Sequence, residues 1–105
     1  MLETLSAADF EPFLGKTCDL ILAPEARVRT TIHKVMERPN HRSPLDPHGR
    51  TPFSVWFLGQ EGEPAFESAI CSLQLGETEI EGVYINRMIP AGPERDRAWY
   101  QLVFN

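Results

Sequence analysis

Hydrophobic positions along the chain change period near Gly15, from helical spacing before it to alternation after it. Before it, "LSAADFEPFLG" presents Phe10, Phe13 and Leu14 from a helix to something apolar. Ser6 followed by Asp9 reads as a capping box with an acid at the third helical position, and Leu5 and Phe10 hold the hydrophobic-staple positions around it. Pro12 removes a backbone donor and Gly15 is a natural stop. The pattern predicts a short helix from Ala7 to Leu14, bent or tightened at Pro12.

Beyond Gly15 apolar residues alternate. "TCDLILA" sets Cys18, Leu20 and Leu22 against Thr17, Asp19 and Ile21. "VRTTIHKV" alternates Val28, Thr30 and Ile32, then slips by one to Val35, which places a bulge near His33 and Lys34. "PFSVWFLG" is rich in aromatic and β-branched residues and ends at Gly59. "AICSLQLG" puts Cys71, Leu73 and Leu75 on one face, "EIEGVYINRMIP" carries Val83, Ile85 and Ile89 inward, and "AWYQLVFN" does the same with Tyr100, Leu102 and Phe104. No helix-length segment separates any two strands, which excludes a parallel βαβ fold. The fold class is mainly β: a small antiparallel β-barrel or strongly curled sheet of about six strands, in one domain spanning residues 1–105. The helix plugs one end or covers one open face.

Three aromatic residues fall on the wrong parity for that core. Trp56 alternates against its neighbours Val55 and Phe57, Trp99 against Tyr100 and Leu102, and Tyr84 against Val83 and Ile85. Outward-pointing large aromatics mark a protein interface, so Trp56, Trp99 and Tyr84 are the candidate contact residues. A homodimer or a protein partner on this face is the expectation. The competing reading is that the helix covers one tryptophan with Phe10, Phe13 and Leu14.

Charge narrows the partner. The chain has 105 residues and a formal net charge of -5, which argues against nucleic acid, whose phosphates need a basic surplus, and against anionic membranes. No apolar run approaches the ~18 residues of a membrane span. "MLETLSAADF" lacks the basic and apolar regions of a signal peptide, so a cytoplasmic location is expected. Cys18 and Cys71 have no metal or redox spacing and lie on apolar parity, which predicts free, buried, inert thiols. Glu79 and Glu81 share a solvated face, with no burial to raise a carboxyl pKa. "FLGKT" ends like a phosphate-binding loop, but Phe10 stands where that loop needs glycine, and a helix precedes it instead of a strand. These patterns point to no enzyme and no cofactor.

The stretch "RPNHRSPLDPHGRTP" is longer than an ordinary connection in a compact domain. His41, Asp46 and His48 lack the spacing of a zinc site, so no metal is expected. Arg38, Arg42 and Arg50 outnumber Asp46 and form a candidate anion or partner loop. The alternative function places a small-ligand or metal pocket near the 39–51 loop, lined by His33, His41 or His48.

The order "LSAADFEPFLGKT", "PFSVWFLG", "VYINRMIP", "YQLVFN" resembles a family of small bacterial domains of unknown function, often encoded beside phage-tail-collar-type proteins. The likeness is greatest at Phe13 to Gly15, Pro52 to Gly59 and Tyr100 to Asn105, and the Pro39 to Thr51 loop exceeds the family's connection. The resemblance implies an interaction or assembly role in the context of tail-like particles.

Overall fold

The chain enters its fold through the capping box at Ser6. In the computed structural model, which describes residues 4–38, 51–89 and 97–104, the Ser6 backbone N–H donates to the Asp9 carboxylate at 2.8 Å and opens helix α1, Ala7–Phe10. Pro12 leaves no donor for a further α-helical bond. The chain tightens into a 3-10 turn over Glu11–Phe13, so the α-helix is shorter than the spacing predicts. Phe10 is fully buried, with ring centroids 5.8 Å from Phe53 and 5.9 Å from Phe104. The helix therefore plugs one end of the barrel.

Six strands follow: β1 Thr17–Ala23, β2 Ala26–Glu37, β3 Phe53–Gly59, β4 Ser68–Leu75, β5 Thr78–Met88 and β6 Trp99–Phe104. All neighbours are antiparallel, and the sheet closes in the order β1-β2-β3-β6-β5-β4. Two three-stranded meanders are thus joined by the connection from β3 to β4. That connection fills the mouth opposite α1, where Phe66 stacks on Tyr100 with centroids 4.4 Å apart and donates its backbone N–H to the Tyr100 hydroxyl at 3.3 Å. The β1–β4 seam has the shortest ladder, with Asp19, Leu20 and Ile21 facing Gln74, Leu73 and Ser72.

Three bulges bend the strands enough to close. Leu22 is the extra residue in β1, and His33 is the extra residue in β2, as the slip in "VRTTIHKV" predicts. In β5, Glu81 and Gly82 together oppose Ser72, and Gly82 takes φ 71°. This last bulge shifts parity, so Ile80 joins Val83 and Ile85 in the core. Ile89 does not: it lies beyond the end of β5 and is 88% exposed. The other inward positions, from Cys18 to Phe104, are buried or packed against the core. Side chains fill the interior, as they must in so small a barrel. The one buried threonine satisfies its hydroxyl by donating to the Cys18 carbonyl at 2.7 Å. At the plugged end Phe13 lies over the β4–β5 turn, where a Cβ on Gly76 would stand 2.9 Å from its ring and φ is 63°. Among the described residues no helix is long and apolar enough to cross a membrane.

Candidate interaction face

Outward residues of β2, β3, β6 and β5 line up in cross-strand rows. Met36, Ser54 and Val103 form one row, and Tyr84 stands one register step beyond the paired Ile85 and Leu102, beside Val103. Lys34, Trp56, Gln101 and Asn86 form the second. Thr31, Leu58, Trp99 and Met88 form the third. None of these residues is acidic, in a chain whose net charge is -5. Within the strands, Asp19 of β1 and Glu79 and Glu81 of β5 lie off these rows. There Arg27 and Arg29 each approach Asp19 at 3.6 Å, and Glu79 and Glu81 are exposed. Among the described residues, these three rows form an acid-free outer face, and Asp19, Glu79 and Glu81 lie away from it.

The acid-free face has an open apolar edge. Ile70 and Tyr84 are cross-strand partners and are 75% and 52% exposed, and Val103 is 42% exposed. Deeper in the face, the Lys34 ammonium lies 5.4 Å from the centroid of the half-buried Trp56 ring, a cation–π contact. Among the described residues, Ser54 Oγ and Trp56 Nε1 are the buried side-chain polar atoms without a hydrogen-bond partner. Leaving such a group unpaired costs about 1–3 kcal/mol. Both project from the same side of β3, two residues apart.

Trp56, Trp99 and Tyr84 share this face, but they do not contribute equally. Trp99 is only 3% exposed, which corrects the expectation of an open indole. His33, pushed out at the β2 bulge, meets it edge-on with centroids 4.7 Å apart. Nor does the helix cover a tryptophan with Phe10, because Phe10 sits inside the barrel end. Ile70 and Val103 escaped the sequence reading, although the same test finds them: each is out of phase with its strand's core residues. Arg38 is half-buried at the end of β2, with its backbone N–H donating to the Pro52 carbonyl at 2.6 Å. Arg42, Arg50, His41, Asp46 and His48 lie outside the described residues.

Burial, and secondarily the charge of Asp19, pushes the Cys18 thiol up from 9.0 to about 12. Burial also raises Cys71. Both cysteines are free and buried, which disfavours the reactive thiolate. Among the described residues no three His, Cys, Asp or Glu side chains group closely enough to hold a metal ion. Gly15 leads out of a helical turn into β1, the reverse of a phosphate loop. An open cleft of about 530 Å³ lies over the β1–β4 seam, between Ile21 and Ser72. A smaller one of about 150 Å³ lies under residues 60–65, beside Arg87 and Arg97. The 39–51 loop, where the sequence places a ligand pocket, lies outside the described residues apart from Thr51.

A family model described as a domain of unknown function, DUF6916, matches residues 5–104, and the chain belongs to that family. No curated protein and no solved structure matches the chain.

Proposed function

We propose that this member of the DUF6916 family is a non-catalytic interaction module that docks a protein partner, or a second copy of itself, on the outer face of β3, β5 and β6. The observation that carries the reading is the composition of the outer face. The acid-free rows gather Trp56, Tyr84 and Val103, with Ile70 beside Tyr84, while Asp19, Glu79 and Glu81 lie off them on β1 and the start of β5. Interface cores are depleted in charge and enriched in aromatic residues, and this face has that composition. The proposal extends to an accessory or assembly role beside phage-tail-like or tail-collar proteins in the bacterial cytoplasm. That extension is supported by the sequence resemblance alone.

Site-specific photocrosslinking in cells tests the reading. A benzophenone side chain is placed at Tyr84 on the acid-free face or at Glu79 off it. The reading predicts a defined covalent adduct from position 84 that is lost on Val103→Asp, and none from position 79. An adduct of twice the chain mass of 11.9 kDa identifies a second copy, and any other mass identifies a partner. Adducts from position 79 alone, or from neither position, contradict the reading.

A further inference from the structure

We infer that Lys34, Trp56 and Ser54 form the recognition point for a carboxylate-bearing, extended segment of the partner, an inference that rests on the interaction reading above. An indole N–H and an ammonium can only donate hydrogen bonds, and the Ser54 hydroxyl adds a third donor. Lys34 stands across the strand from Trp56, and Ser54 is two residues along β3 on the same outward side. Two of these donors are buried without an acceptor. The complement of such a set is a group of acceptors carrying negative charge. An aspartate, a glutamate or a chain terminus supplies the carboxylate, and the backbone beside it supplies a carbonyl. Same-side positions on a strand recur about every 6.6–6.8 Å. An extended segment laid along β3 has the same repeat, so it presents successive acceptors over Ser54 and Trp56. Of the four residues paired with the two, Met36, Lys34 and Gln101 are unbranched and can turn aside without moving the sheet, while the β-branched Val103 stays beside Ser54.

Charge decides among the occupants. A two-fold contact through this face sets a patch against its own copy, so donors meet donors and Lys34 meets rows that hold no carboxylate. A basic segment meets like charge. A neutral segment buries the ammonium without a counter-charge, which is costly. An acidic segment satisfies all three groups.

The test is a displayed library of random dodecapeptides selected on the whole chain. Affinities of the best binder are then measured for the parent, Lys34→Met and Trp56→Phe, and the Trp56 indole N–H resonance is followed during titration. The inference predicts enrichment in aspartate and glutamate, about tenfold or greater weakening in each variant, and a saturable shift of the indole resonance. Lys34 is exposed and the resonance is read in the parent, so the test stands even where Trp56→Phe fails to fold. Neutral or basic binders, an unaffected Lys34→Met or an unmoved indole overturn the inference. So does self-association of the parent through this face in sedimentation. Non-acidic binders that shift Tyr84 and Val103 leave the interaction reading in place while overturning the carboxylate. A library that yields no binder overturns both.

Discussion

Cys18 and Ser54 are both buried, and burial has opposite consequences for them. The folded barrel favours the neutral Cys18 thiol, because burial first and the Asp19 charge second raise it to about 12. The unfolded chain releases that proton near the ordinary 9.0. Between those values the folded state holds more protons, so stability falls as pH rises. It is complete below about pH 9 and is lost toward about pH 12. Urea unfolding followed from pH 8 to 11 is expected to show a falling midpoint, with a shallower fall in Cys18→Val. Equal slopes in the two proteins would contradict the assignment. Ser54, by contrast, carries a hydroxyl without a partner, so Ser54→Ala is expected to keep or raise the melting temperature. Thr30→Val, which removes a buried hydroxyl that donates at 2.7 Å, is expected to cost about 1 kcal/mol. A thermal melt of each variant checks the contrast, and a Ser54→Ala loss as large as that of Thr30→Val defeats it.

At the scale of elements, what was legible depended on whether side chains recorded the break. The capping box and the proline at position 12 are local signals, and both act where the sequence places them. The bulge at His33 was legible because apolar residues on both sides, Ile32 and Val35, are out of phase. The bulge at Glu81 and Gly82 was not, since glycine has no side chain to mark a face, and Ile80 was missed with it. Ile89 was misread because the alternating pattern runs past the last hydrogen-bonded residue of β5. Which end the helix closes is a tertiary fact, set by Phe10 fitting between Phe53 and Phe104. Phe10→Ala is therefore expected to destabilise by about 3–5 kcal/mol, as in a filled core. Denaturant unfolding checks this, and a loss below about 1 kcal/mol would mean that the helix merely rests on the barrel.

For the whole molecule, parity gave the direction of Trp56, Trp99 and Tyr84 but not what lies above each. His33 comes from β2, and β3 lies between β2 and the strand that bears Trp99. No local pattern in either strand records that contact. That three cross-strand rows among the described residues hold no carboxylate was equally hidden, because it follows from the strand order β1-β2-β3-β6-β5-β4 rather than from chain order. Closure of the barrel brings three outward aromatics into neighbouring rows that hold no carboxylate among the described residues, and leaves Asp19, Glu79 and Glu81 off those rows. The most direct test of that face as the contact surface is a map of backbone and indole chemical shifts for the chain bound to its strongest selected peptide. The account predicts shifts centred on Lys34, Ser54, Trp56, Tyr84 and Val103, with Asp19, Arg27 and Glu79 unmoved. Shifts centred on Asp19, Arg27 and Glu79, or on the cleft between Ile21 and Ser72, would contradict it.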